Sequence, residues 1–275
     1  HSDLVVVWGA NPSASNTHMS PMLDAARQRG AAVVVIDPRR TPTGAKAQLH
    51  LAVRPGTDDV LALATAAELD RLGLIDHAFC DRHADGAQQF LDAATEWTTQ
   101  RAAEVCGIDA GSITAFAELV GTRSPAMLRM GWGMERNRNG NSSIRAALGL
   151  WVLAGNFSER GAGVIASTSS AAESDTLADL PGNHVPARVL NMNRIGEDLL
   201  RAEPPIGVLF VQGANPAVMA PEQRKVLDGL AREDLFTVVH EQVMTDTAAM
   251  ADIVLPATTY FEHGDDVAVG YGAYA

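Results

Sequence analysis

The sequence predicts an α/β protein made of two related units, each with a parallel sheet, and with helical insertions. An apolar run that ends in Gly-Ala-Asn-Pro occurs twice, at residues 5–12 and 208–216. In both copies 28 residues separate the glycine of the turn from an acidic residue that ends the next apolar run, Gly9 from Asp37 and Gly213 from Glu241. Continuous apolar runs are typical of parallel strands that helices cover on both faces.

The first unit is predicted to begin as a strand, a turn, a helix and a second strand. Gly30 ends the first helix, because glycine readily adopts the left-handed conformation that closes helices. Thr57 or Asp58 can cap the next long helix, and Ser142 or Ser143 the last one. The predicted strands are 4–8, 32–36, 49–55 and 126–130, the turns are 9–16 and 131–141, and the helices are 20–29, 58–72 and 142–154, with a mostly helical stretch up to 119.

A stretch rich in Ser, Thr and Ala at residues 166–172 marks the boundary between the units. The first α/β unit, with its helical insertion, therefore covers 1–165, and the second, incomplete at its ends, covers 166–275. The second unit restarts near Ile206 and repeats the strands at 208–212, 237–240 and 251–256. Each strand-helix-strand crossover should be right-handed. We predict that both units are Rossmann-like and of the dinucleotide-binding type.

Composition excludes several classes of function. A formal net charge of -12 over 275 residues argues against nucleic acid or an anionic membrane as the main partner. Cys80 and Cys106 are too few for a disulfide scaffold or an iron–sulfur site. No apolar run has the length of a membrane-spanning helix. Both ends look like cuts, so we expect an internal fragment of a longer protein that self-associates when isolated.

The two turns are candidates for phosphate binding. Unpaired N–H groups and the positive end of the dipole attract anions to a helix start. A purely conformational role for Gly and Asn is about equally probable for either copy alone, but the duplication disfavours it. The pattern is not G-x-G-x-x-G, and its acidic residue follows after 28 rather than roughly 20 residues, so an ordinary NAD site is disfavoured.

Asp37 and Glu241 should lie at the carboxyl ends of their strands, where open α/β sheets bind ligands. A carboxylate offers acceptors only, which suits a ribose diol or the N–H donors of guanine better than adenine. Asp58 suits the same role, although a plain helix cap is at least as probable. Residues 76–85 carry His, Cys and Asp, but their spacing matches no closed zinc motif, and a polar helix end is favoured.

Basic side chains form two clusters that could hold phosphate, although about half of them should be solvated surface arginines. These clusters comprise Arg39, Arg40, Lys46 and Arg54 in the first case, and Arg129, Arg136, Arg138 and Arg145 in the second.

Taken together, these motifs resemble those of molybdopterin oxidoreductases of the dimethyl sulfoxide reductase and formate dehydrogenase type. The resemblance covers nearly the whole chain, and the motifs agree in type, order and spacing. The matching segments are residues 9–12, 36–41, 54–58, 212–216 and 251–256, together with Glu262.

The resemblance implies two molybdopterin guanine dinucleotides flanking one molybdenum, with one guanosine diphosphate arm in each unit. The residues that match the family's motifs fall into three groups. One arm would contact Gly9, Ala10, Asn11, Asp37, Arg39, Gly56, Thr57 and Asp58; the other would contact Gly213, Asn215, His240, Glu241 and Thr245; Met130, Gly131, Gly133 and Met134 would lie by the pterin and molybdenum. Some relatives carry glutamine near Met134, and His263 stands where some place a lysine.

The resemblance also implies two-electron chemistry on a small-molecule substrate, together with an electron-transfer partner and no nucleic acid. The molybdenum ligand and any 4Fe-4S cluster would lie upstream of this chain, so no catalytic residue is expected here and the chain alone should be inactive. The cytoplasm is the expected compartment and the periplasm the alternative. Two other hypotheses remain: a cofactor-free relative such as the large iron–sulfur subunit of respiratory NADH dehydrogenase, and a nucleotide-binding module without redox chemistry. Retention of both turns and both acidic residues favours the molybdenum enzyme.

Overall fold

The computed structural model describes residues 1–166, 188–259 and 262. His263 and most of the predicted boundary stretch lie outside these residues. The chain separates into two compact units, residues 1–169 and 170–275. No helix among the described residues is long and apolar enough to cross a membrane.

The first unit has a parallel sheet in the order β3-β2-β1-β4-β5. Its strands are β1 (Leu4–Trp8), β2 (Ala32–Ile36), β3 (Leu49–Leu51), β4 (Ala126–Met130) and β5 (Gly163–Ile165). Its helices are α1 (Pro12–Ser15), α2 (Met19–Gln28), α3 (Pro42–Ala45), α4 (Asp58–Arg71), α5 (His77–His83), α6 (Ala87–Ala94), α7 (Thr99–Cys106), α8 (Ala110–Thr122), α9 (Trp132–Glu135) and α10 (Gly140–Leu153).

Both faces of this sheet are buried, as the continuous apolar strands predict. Alternate residues of β1 point to opposite faces. Leu4, Val6 and Trp8 pack with the helical core of α4, α8 and α10. Val5 and Val7 pack with α2 on the other face.

The second unit has a parallel sheet in the order β6-β7-β8. Its elements are α11 (Ile195–Arg201), β6 (Val208–Gln212), α12 (Pro216–Met219), α13 (Gln223–Leu230), β7 (Phe236–Glu241) and β8 (Ile253–Pro256), with 3-10 turns at Met192–Arg194 and Ala248–Met250. One face differs from the expectation: Val208 and Phe210 are 65% and 57% exposed within the described residues, whereas their counterparts Leu4 and Val6 are fully buried.

Two element boundaries differ from the prediction for identifiable reasons. The strand predicted at 49–55 ends at Leu51, and the N–H of Arg54 instead donates to the carbonyl of Cys106 at the end of α7. Helix α10 begins at Gly140, before the predicted serine caps. A Cβ atom at Gly140 would lie 2.8 Å from the carbonyl oxygen of Met134, so only glycine allows the chain to turn so closely behind α9.

Candidate functional site

The carboxyl end of β1 lies where the strand order of the first sheet reverses. Crossovers run to β2 on one side and to β4 on the other, and this reversal is where open α/β sheets form a ligand crevice. The turn that starts at Gly9 leaves β1 at this point. Gly9 has a φ of 62°, in the left-handed region that favours glycine, and its N–H donates to the carbonyl of Ile36 at 2.8 Å.

A side-chain hydrogen bond joins the first turn to α3, the short helix after β2. The hydroxyl of Thr43 accepts the N–H of Ser13 at 3.2 Å and donates to the Oδ1 atom of Asn11 at 3.3 Å. Asn11 Oδ1 also accepts the hydroxyl of Ser13 at 2.7 Å. The amide oxygen of Asn11 therefore stabilises the turn through bonds to other residues of the protein.

The second turn has the same construction, displaced by 204 residues along the chain. Gly213 has a φ of 58°, and its N–H donates to the carbonyl of His240 at 3.1 Å. The hydroxyl of Thr247 accepts the N–H of Ala217 at 3.1 Å and donates to Asn215 Oδ1 at 2.7 Å. The two units thus share hydrogen bonds as well as sequence.

Thr43 and Thr247 are absent from the predicted site. Each is buried, and the pair shares the same displacement of 204 residues as the glycines and acidic residues. Extending the comparison of the repeats two residues past Thr41 and Thr245 would have found them. Thr41 and Thr245 instead accept the N–H groups of Gly44 and Ala248 within their own loops.

The N–H groups that remain for an anion belong to the turns and not to the helix starts. In α1, Pro12 has no N–H, that of Ser13 is bonded to Thr43, and that of Ala14 is bonded to the carbonyl of Asn11. The N–H groups of Ala10 and Asn11 have no hydrogen-bond partner among the described residues.

The second turn leaves the equivalent pair. The N–H groups of Ala214 and Asn215 likewise have no partner in the described part of the chain. Two consecutive free N–H groups in each unit fit the oxygen atoms of a phosphate chemically.

Gly131 and Gly133 bring a second backbone against the first turn. The N–H of Gly131 donates to the carbonyl of Trp8 at 2.8 Å, and that of Gly133 donates to the carbonyl of Gly9 at 2.9 Å. Met134 is 1% exposed and packs against Gly9. Met130 is also buried, so both predicted methionines are core side chains and their contact with a cofactor stays a prediction.

Asp37 and Asp58 line a cavity of about 110 Å³ beside the first turn, together with Gly9, Gly133 and Asn137. Asp58 is buried at the first position of α4 and accepts a hydrogen bond from the indole Nε1 of Trp8 at 2.7 Å, so it does not act as a side-chain cap. Burial raises the pKa of the Asp58 carboxyl, and the bond from Trp8 opposes that effect. Asp37 Oδ1 accepts the N–H of Arg39 at 2.8 Å.

The other predicted contacts lie at the ends of neighbouring elements. Gly56 has a φ of 83°, which turns the chain into α4, and the Thr57 hydroxyl donates to the Arg54 carbonyl at 2.8 Å. In the second unit His240 and Glu241 end β7, and Glu241 Oε1 accepts the N–H of Gln242 at 2.8 Å.

Several basic and sulfur groups have structural contacts. Arg54 donates to the carbonyls of Glu104 and Val105 at the end of α7, and Arg136 lies over the ring of Trp132. Burial raises the pKa of the Cys80 and Cys106 thiols, which disfavours reactive thiolates. Residues 76–85 contain the whole of α5, which Asp76 caps by accepting the N–H of Phe79, and no group of potential metal ligands occurs among the described residues.

Comparisons with known proteins show the family and the fold. A family model described as molybdopterin oxidoreductase matches residues 1–269. The probable oxidoreductase YoaE of Bacillus subtilis (strain 168) is 38% identical over 269 residues, which are 96% of this chain and 39% of that protein. Formate dehydrogenase H of Escherichia coli (strain K12) is 26% identical over 288 residues, covering 96% of this chain and 40% of that protein.

Acetylene hydratase from Pelobacter acetylenicus has a similar fold, with a TM-score of 0.78 at 24% identity over 95% of this chain and 42% of that one. This similarity confirms the predicted α/β fold. The chain spans about two fifths of the length of these relatives.

Proposed function

Because this chain belongs to the molybdopterin oxidoreductase family, we propose that it forms part of a larger molybdenum oxidoreductase and holds the guanine dinucleotide arms of two molybdopterin cofactors. The observation that supports this proposal is the pair of Gly-Ala-Asn-Pro turns, each with two consecutive backbone N–H groups that have no partner among the described residues. One such turn is common in α/β proteins. Two turns with the same internal hydrogen bonds would provide one equivalent binding site for each of two molybdopterin cofactors.

In the first unit, the N–H groups of Ala10 and Asn11 would hold the diphosphate of one arm. Asp37 and Asp58 would accept hydrogen bonds from the ribose hydroxyls or from the N–H groups of guanine, since an ionised carboxylate has acceptors only. The N–H donors of the turn would thus bind the phosphate end of the nucleotide, and the carboxylate acceptors of the cavity would bind its ribose or base.

In the second unit, Ala214 and Asn215 would hold the other diphosphate, with His240, Glu241 and Thr245 at the adjacent strand end. When bound, the cofactor supplies two-electron redox chemistry at molybdenum. The residues of this chain bind and orient it. We propose that the substrate is a small molecule and that an electron-transfer partner acts with the full-length protein.

Nucleotide preference tests the role of the first arm. We expect the chain to bind GDP more tightly than ADP in calorimetry. Asp58→Asn should narrow this difference by about 1–3 kcal/mol, because it replaces a charged acceptor of hydrogen bonds by an amide. Asp70→Asn is the matched control, since Asp70 is an exposed residue of the same helix. ADP binding equal to or tighter than GDP binding would contradict the proposal.

Metal content tests the whole protein. The full-length native protein should contain molybdenum and release two guanine nucleotides per molybdenum on acid hydrolysis, whereas the 275-residue chain alone should show no dye reduction. A folded full-length protein without bound metal or pterin would favour a cofactor-free relative.

A further inference from the structure

Trp8 makes a buried contact that the resemblance does not assign to it. Its indole ring is fully buried at the end of β1, and its Nε1 donates to Asp58 Oδ1 at 2.7 Å across a separation of 50 residues. Phe116 packs edge-on against the ring, with 6.1 Å between centroids and an angle of 78°. The indole is therefore held in one orientation from two sides.

The repeat shows that this contact belongs to one unit. Gln212 occupies the position of Trp8 in the second unit and is exposed among the described residues. The shared construction of the turns consequently does not require an indole at the end of the strand. Trp8 is explained better by what it contacts, which is Asp58.

Asp58 lies in surroundings that disfavour its negative charge. It is 7% exposed, and the carboxylates of Asp37 and Asp59 and the thiol of Cys106 are the titratable groups that interact with it. No Lys or Arg forms an ion pair with it in the described part of the chain. A buried carboxylate is costly unless hydrogen bonds replace its hydration, and the indole of Trp8 supplies such a bond.

We propose that Trp8 is a positioning residue that keeps the Asp58 carboxylate ionised and oriented for recognition of a guanine base. This inference rests on the proposed function, because it assigns to Asp58 the recognition of the base. Trp8 itself does not touch the ligand. Its bond engages one carboxylate oxygen, which restrains the orientation of the group at the wall of the cavity that Asp37 and Gly9 also line.

The test compares Trp8→Phe with Trp151→Phe. Phenylalanine keeps an aromatic ring and removes the N–H in both variants. Trp151 is an equally buried residue of the same core whose Nε1 donates to the carbonyl of Ala126 at 3.3 Å, a group that does not titrate. Calorimetry would measure GDP and ADP binding across pH. The ratio of the two affinities removes the titration of the diphosphate, which is common to both ligands.

We expect Trp8→Phe to lower the preference for GDP over ADP about tenfold near neutral pH, the loss of one hydrogen bond to a charged group. The preference should recover as the pH is raised further, because the loss of the indole bond raises the pKa of Asp58 and higher pH restores its charge. Trp151→Phe should leave the ratio and its pH profile unchanged. If Trp8→Phe does not fold, Asp58→Asn serves instead, and its GDP preference should be small and independent of pH.

Unfolding without ligand tests the effect of Trp8 on the Asp58 carboxylate independently of nucleotide binding. A carboxyl whose pKa is raised on folding binds more protons in the folded state, so stability falls as pH rises from the ordinary pKa through the raised one. Trp8→Phe should raise that pKa further and extend the fall to higher pH. Its loss of stability should therefore be larger above the raised pKa than in acid below the ordinary one, where the carboxyl is protonated in both states, whereas the loss in Trp151→Phe should not depend on pH.

The outcomes are distinct. Wild-type preference for GDP with an unchanged pH profile in Trp8→Phe would overturn the role of Trp8 and leave the proposed function intact. No wild-type preference for GDP would overturn the recognition of guanine and this inference with it, even where the ligand-free stabilities show the expected dependence on pH.

Discussion

Gly131→Ala is expected to lower the free energy of unfolding of the first unit by about 3 kcal/mol, because the new methyl group has no space. A Cβ atom there would lie 2.2 Å from the carbonyl oxygen of Gly9 and 2.5 Å from the Cβ of Ala10. Neither atom belongs to a side chain that can rotate away. The two backbones would have to separate, which would break the bonds from Gly131 to Trp8 and from Gly133 to Gly9.

Denaturant unfolding followed by tryptophan fluorescence measures this effect, since the four tryptophans of the sequence all lie before residue 152 and report on the first unit. Gly30→Ala is the control. Gly30 has a φ of 91° with no atom near its missing Cβ, so its substitution measures backbone strain alone, about 1 kcal/mol. Equal losses of stability in Gly131→Ala and Gly30→Ala would contradict this prediction, because they would show that the contact between Gly131 and Gly9 leaves room for a methyl group.

Thr43→Val and Thr247→Val are expected to destabilise their own units by about 1–3 kcal/mol, because each leaves a backbone N–H group without its acceptor, half-buried at Ser13 and buried at Ala217. Valine keeps the shape of threonine and removes only the hydroxyl. Thr43→Val removes the acceptor of the Ser13 N–H, and Thr247→Val removes the acceptor of the Ala217 N–H. The two substitutions thus probe the same bond in both repeats.

Hydrogen exchange read out by mass spectrometry locates each effect. Thr43→Val should accelerate exchange around α1, and Thr247→Val should do so around α12. Thr43→Ser and Thr247→Ser are the matched controls, since they restore the hydroxyl and should recover most of the protection. A serine variant as labile as its valine counterpart would contradict the prediction, because the hydroxyl would then be present without restoring the protection.

Much of the fold could be predicted from local rules. The burial of β1 and β2 on both faces follows from unbroken apolar runs, and the turns at Gly9 and Gly213 follow from residues that tolerate a positive φ. Helix α10 began earlier than predicted, because its start depends on a close contact with α9 that no capping pattern reveals.

The candidate site divides in the same way. The repeated turns and their acidic residues are visible in the sequence, because equal spacing in two copies is a one-dimensional signal. The sequence does not show which N–H groups remain free, because Thr43 accepts the N–H of Ser13 across 30 residues and thereby occupies a donor at the start of α1. The sequence suggested a helix start as the anion site, whereas the hydrogen bonds leave free N–H groups only in the preceding turn, to which we assign that role as a proposal.

The sequence by itself determined the α/β class, the duplication and the family, because hydrophobic periodicity and motif spacing can be read along the chain without knowledge of which distant residues are in contact. The tertiary structure decided that Trp8 donates to Asp58, that Gly131 lies against Gly9, and that Met134 is a core side chain. Each of these contacts joins residues from 50 to 125 positions apart. Their partners depend on how β1, α4 and β4 are brought together at the carboxyl end of the sheet, and pairing at such distances leaves no periodic trace in a single chain.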